Sequence, residues 1–283
     1  MKACEASLTE VMRQKDGNDL IRASLLVRRQ WASAPEHERD YVMLSWARFP
    51  LRNGNSTRLH WSIEDMVNSY IEDVREKGYN ESIFVCSSNR KCREISMEIR
   101  NRLHFTDGVV QKGDLLRVSQ NNNPSGLMNG DMVEVVDIDR TKEYRANLEF
   151  RRAVVRELFT GAEKNVLLMT STVTSNMPNL DGHQQTCLFL DFAQRMRDKG
   201  IDQKKNPGLF YDAMYHDPYL NALRCIYGYA ITCHKAQGGE WNNVYVDFGL
   251  MARNPTKAKY QWAYTAVTRA KETLHVLNKP YIQ

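Results

Sequence analysis

Residues 62–78 read SIEDMVNSYIEDVREKG, and residues 79–103 continue YNESIFVCSSNRKCREISMEIRNRL. In the first stretch Ile63, Met66, Val67, Tyr70, Ile71 and Val74 recur at the spacing that lines up one face of a helix. Ser62 with Asp65 resembles a capping box, and Gly78 supplies the stop. The second stretch opens with an apolar run over residues 83–86 and turns at Ser87-Ser88-Asn89. It then resumes helical spacing at Cys92, Ile95, Ile99 and Leu103. Helix, strand, turn and helix in that order predict an α/β layer on a parallel sheet.

The same grammar recurs on either side. Residues 20–26 are mostly apolar, run into Arg28 and Arg29, and predict a helix opened by the Gly17-Asn18-Asp19 turn. Toward the end, residues 244–246 predict a strand, residues 257–270 a helix and residues 274–277 a last strand. Between these pieces the character changes. From Gly113 to about Val173, short β-rich runs at residues 115–118, 132–138 and 166–170 are separated by turns such as Asn121-Asn122-Asn123-Pro124 and Asn129-Gly130-Asp131. Residues 181–219 hold one more apolar run, 187–192, and then a polar stretch with Lys204, Lys205 and Pro207. The predicted organisation is an α/β domain over residues 1–116 and 223–283, interrupted by a β-rich insert with connecting segments over 117–222.

With 283 residues, 42% of them hydrophobic, the chain can bury one large core or two ordinary ones. A formal charge of +5 is compatible with a polyanionic partner without requiring one. The six cysteines form no C-x-x-C pair and no zinc-spaced cluster, and read as reduced thiols of a soluble cytoplasmic protein. No run approaches the ~20 apolar residues that span a bilayer. No metal site is expected.

The chemistry concentrates near the C-terminus. Residues 229–241 read YAITCHKAQGGEW: an apolar run ending in hydroxyl, imidazole, ammonium, amide and carboxylate groups with two glycines. A strand end that contacts phosphates and sugars needs such groups, although an ordinary polar turn can carry them too. Some twenty residues on, WAYTAVTRAK over 262–271 places Arg269 beside Thr265 and Thr268. A guanidinium there can stabilise charge on a transferring phosphoryl, or can simply decorate a helix surface.

Together these two segments resemble motifs V and VI of superfamily 1 helicases. Residues 8–14, LTEVMRQ, with the helix after them, resemble motif IV; residues 84–100 resemble the strand and helix that follow in RecD-like members, and residues 113–131 their entry into a small SH3-like β insert. The resemblance implies a second RecA-like domain interrupted by that insert. It implies Arg13 and Arg269 at the γ-phosphate, and Gln237, Gly238 and Glu240 at the nucleotide edge. Thr232 and His234 would touch the backbone of single-stranded DNA, with Lys235 near phosphate. Arg90 is assigned to nucleic acid or, equally, to a helix start. Neither a Gly-Lys nor an Asp-Glu dipeptide occurs, so the phosphate-binding loop and the metal-binding acidic motif are absent. The implied enzyme uses ATP and Mg²⁺ together with a first RecA-like domain, moves 5′ to 3′, and is inactive as this chain alone. A non-catalytic nucleic-acid-binding or docking module and an RNA-directed helicase are the alternatives.

Overall fold

The computed structural model describes residues 56–105, 108–175, 179–248 and 257–277. Arg13 and the helix expected over residues 20–26 lie outside them. The described chain divides into two compact units. One is built from the residues up to Cys92 and from Ile231 onward, the other from Arg93–Ala230.

In the first unit, β1 (Thr57–His60), α1 (Ile63–Lys77), β2 (Ser82–Cys86) and the start of α2 (Asn89–Arg102) come from the front of the chain. The later elements are β9 (Ala230–Thr232), α6 (Cys233–Ala236), β10 (Trp241–Val246), α7 (Lys257–Val267) and β11 (Ala270–Leu277). The strands form one sheet in the order β1-β11-β10-β2-β9. β1 with β11, β11 with β10, and β10 with β2 all pair parallel. This is the α/β parallel-sheet class expected from residues 62–103.

Period-two alternation explains why helices cover both faces. Ile83, Val85, Val244, Val246, Leu274 and Val276 point to one side and share a core with Trp262, Ala263, Ala266 and Val267 of α7. The intervening Phe84 and Tyr245 point the other way, with centroids 5.1 and 5.4 Å from the ring of Tyr70 on α1. Met66, Val67, Tyr70 and Ile71 are the buried face of that helix, each contributing about 2 kcal/mol by leaving water. The Ser62 hydroxyl accepts from the Asp65 amide at 3.1 Å, while the Asp65 carboxylate accepts from Trp61 rather than from Ser62. The box is therefore half made and displaced by one residue.

The second unit is a sheet in the order β5-β6-β4-β3-β8, with β7 on β6. Its strands are β3 (Leu115–Val118), β4 (Met132–Ile138), β5 (Glu143–Arg145), β6 (Leu148–Glu157), β7 (Glu163–Met169) and β8 (Cys225–Tyr227), and the pairings are antiparallel. A short helix, α3 (Thr170–Thr174), follows β7. Residues 181–219 hold two helices, α4 (Gly182–Asp198), which contains the apolar run, and α5 (Pro207–His216) in the polar stretch. A full capping box of Asp181 and Gln184 opens α4. Phe192, Ala193, Met196 and Phe210 form a small core of their own between the two helices.

Candidate active-site edge and nucleic-acid contacts

Thr232 ends β9 in extended conformation and is buried. In the single turn that follows, Cys233 and Ala236 point into the sheet core, which leaves His234, Lys235 and Gln237 on the solvent side. Burial pushes the Cys233 thiol up to about 12, against the opposing charge of nearby Arg269, and its Sγ donates to the Trp262 carbonyl at 3.4 Å. That thiol is a packing group.

The chain then reverses through two glycines for different reasons. Gly238 has a φ of +88°, a left-handed conformation that side chains resist. At Gly239 the Trp241 indole lies so close that a β-carbon would stand 2.4 Å from the ring. The Gly239 carbonyl, held by this close packing, accepts from Nη1 of Arg269 at 2.9 Å.

Arg269 follows α7 and immediately precedes β11, and it is only 7% exposed. Its Nε donates to the Thr265 carbonyl at 3.0 Å and its Nη2 to the Thr268 hydroxyl at 3.2 Å. Its own carbonyl accepts from the Trp241 amide at 3.0 Å. Backbone and side chain of one residue therefore grip both ends of the 239–241 segment. On the rim Glu240 pairs with Lys271 at 3.3 Å, each 43% exposed. The structure thus brings Gly238, Glu240 and Arg269 together around Gly239, with Gln237 exposed on the same loop.

Arg90 stands elsewhere. It is exposed in the first turn of α2, where the Ser88 hydroxyl accepts from the Lys91 amide at 3.2 Å, and Lys91 reaches Asp247 beyond β10 at 3.6 Å. β2, β10 and β11 run parallel, so Arg90, beyond the C-terminal end of β2, and Arg269, before the start of β11, occupy opposite edges of the sheet. Trp241 and Lys271 lie in the two segments the sequence singles out but carry no role there, and Asp247 lies outside both. The glycine beside a tryptophan two residues on was the only available signal, and ion pairs between distant strands leave none.

A buried polar cluster also went unread. His60 Nε2 lies 2.9 Å from His275 Nδ1, and the His275 ring stacks on Tyr245 at 4.0 Å. The Tyr245 hydroxyl donates to Asp73 at 2.5 Å. Burial, then the neighbouring His60, Arg58 and Lys77, lower the His275 pKa to about 3. Among the described residues there is no group of three His, Cys, Asp or Glu side chains placed to hold a metal ion, and no helix is long and apolar enough to cross a membrane.

No curated protein sequence matches the chain. Among solved structures, Pif1 helicase from Bacteroides in complex with ADP-AlF3 and ssDNA is similar over 98% of this chain and 53% of its own, at 12% identity and a TM-score of 0.47. Pif1 helicase from Candida albicans is similar over 95% of this chain and 56% of its own, at 16% identity and a TM-score of 0.37. The chain spans about half the length of these proteins. The stretch that carries the site, residues 227–277, matches the family profile described as the UvrD-like helicase C-terminal domain.

Proposed function

We propose that this chain supplies the second motor half of an ATP-dependent superfamily 1 DNA helicase of the RecD-like type, moving 5′ to 3′, with an SH3-like insert inside residues 117–222. The observation that carries the reading is the Arg269–Gly239 hydrogen bond. It joins the two motif segments at one sheet edge, inside the span that matches a helicase C-terminal domain.

The residues fit one wall of a nucleotide site. Gln237 and Glu240 offer exposed amide and carboxylate groups, and Arg269 bonds carbonyl and hydroxyl oxygens that a phosphate oxygen can replace. ATP with Mg²⁺ supplies the phosphoryl group to be transferred, held by a first RecA-like domain. On this reading Arg269, with Arg13, stabilises charge developing on that group. When its Nη1 leaves the Gly239 carbonyl, the 238–240 loop loses one of its two anchors to Arg269, which links nucleotide state to the segment that includes Thr232, His234 and Lys235. Those side chains grip the single-strand backbone, with Arg90 a separate contact at the other end of the strands, so binding tolerates any sequence and weakens with salt.

Mixing the chain with a separately expressed first domain tests this. We expect ATP turnover, stimulated by single strands, only in the mixture, and a drop of about 10³-fold in Arg269→Ala, the scale of an arginine finger. Single-strand affinity should stay within about twofold. The burial of Arg269 favours a second reading, a non-catalytic binding module in which this residue is a strut. Single-strand binding without turnover, in the mixture as in the chain alone, together with a lower melting temperature in Arg269→Ala, would establish that one.

A further inference from the structure

Helix α5 packs through one side only. Phe210, Ala213 and Met214 face α4 and its small core, whereas Leu209, Tyr211 and Tyr215 are 60, 50 and 62% exposed. Tyr211 and Tyr215 are four residues apart and so lie on one outer face. Gly208, one turn before Tyr211, has open space where a side chain would stand. Two aromatic rings thus face solvent beside a bare stretch of backbone.

The segment leading into this helix is basic. Arg195 to Lys205 carries five cations against two carboxylates. Arg195 is held by Asp191 and Asp217, while Arg197, Lys199, Lys204 and Lys205 are exposed. The lysine loop has a fixed shape, because the Asp202 carboxylate accepts from the amides of Lys204 and Lys205 at 2.9 and 3.2 Å. Gln203 of that loop donates to the Tyr211 hydroxyl at 3.1 Å, tying one ring to the lysines. Asp212, the acidic neighbour on the helix, lies 3.5 Å from His216.

We propose that Tyr211 and Tyr215, with the Lys204–Lys205 loop, form a stacking platform for single-stranded nucleic acid. Flat rings with adjacent ammonium groups match unstacked bases with adjacent phosphates, and a tyrosine face accepts any base. The excess of cations sets this face apart from a surface that docks an apolar protein partner. The platform shares its ligand with the single-strand track proposed above but uses none of that track's residues.

The test is binding of a fluorescein-labelled oligothymidylate to the full chain, read by anisotropy over a salt series. Tyr211→Ala with Tyr215→Ala should weaken binding about tenfold, and Tyr211→Trp with Tyr215→Trp should restore it. Lys204→Ala with Lys205→Ala should lower the slope of log affinity against log salt by about one. Wild-type affinity in the double alanine variant overturns the platform and leaves the face to a protein partner. A loss that tryptophan does not restore overturns stacking as its basis. Thr232→Ala with His234→Ala serves as the separate arm. Loss there, with the tyrosine variant unaffected, removes the platform and leaves the motor reading standing, whereas no binding by the wild-type chain removes both.

Discussion

Arg100 is completely buried, and its guanidinium is matched at every point. It bonds both oxygens of Asp114 at 2.8 and 3.0 Å and the Val109 carbonyl at 2.7 Å, under the ring of Tyr227 at 4.4 Å. Burial works against its charge, but the bonds and charge of Asp114, with Tyr227 and Tyr229, outweigh it and raise the pKa. Asp114 also accepts from the Tyr229 hydroxyl at 3.1 Å and the Gln111 amide at 2.8 Å. A buried charge deprived of its partner is expensive, so Asp114→Asn should destabilise the β-rich unit by about 3–5 kcal/mol in urea unfolding. A loss below about 1 kcal/mol would mean that water takes the place of the carboxylate. The sequence reading picked out Gly113-Asp114 as an entry to the insert and passed over Arg100, because a pair fourteen residues apart across a loop has no periodic signature. Arg269 shows the converse. Its presence near Thr265 and Thr268 was legible, but its bond to Gly239 was not, since a carbonyl acceptor leaves no trace in the letters.

The elements were legible wherever one face is apolar at a regular period. Helix α1 runs over the residues its spacing indicated, and β3 and β4 match the runs at 115–118 and 132–138 residue for residue. The β5–β6 hairpin was missed because two consecutive arginines, Arg151 buried on one face and Arg152 exposed on the other, break the apolar pattern of β6. Its two turn residues with positive φ are Ala146 and Asn147, without the glycine that usually marks such a turn. Helix α4 was read as a short apolar run because Leu188, Phe192 and Met196, four residues apart, were not separated from the apolar residues between them. Pairing of β1 with β11 places His60 and His275 together, and both are held below the ordinary histidine range, chiefly by burial. A depressed histidine is neutral when folded and binds its proton on unfolding. Its stabilising share is therefore complete above about pH 6.5 and shrinks as the pH falls toward about 3. We expect the first unit to lose about 2 kcal/mol between pH 7 and pH 5, from His275 alone. Urea midpoints at the two values check this, with His275→Gln expected to flatten the dependence.

At the scale of the molecule, two cores of different construction share one chain. All five tryptophans, Trp31, Trp46, Trp61, Trp241 and Trp262, lie outside the Arg93–Ala230 unit. Tryptophan emission therefore reports the rest of the chain, whereas far-ultraviolet circular dichroism reports both units. If each unit unfolds on its own, the two signals will give different urea midpoints. Coincident curves would show a single cooperative transition instead. The order of the strands also bears on how the protein is made. Among the described residues, β1 lies at the sheet edge and pairs with β11 alone, with His60 and His275 in contact across 215 residues. At about 5–20 residues per second, a ribosome needs roughly 10–40 s to travel from one to the other. For that interval the apolar faces of α1 and β2 wait without the strands that will cover them, while the whole β-rich unit emerges and can fold. Where the two units fold separately, the nascent chain passes through a stage with its second unit formed and its first still open, when a chaperone is most needed.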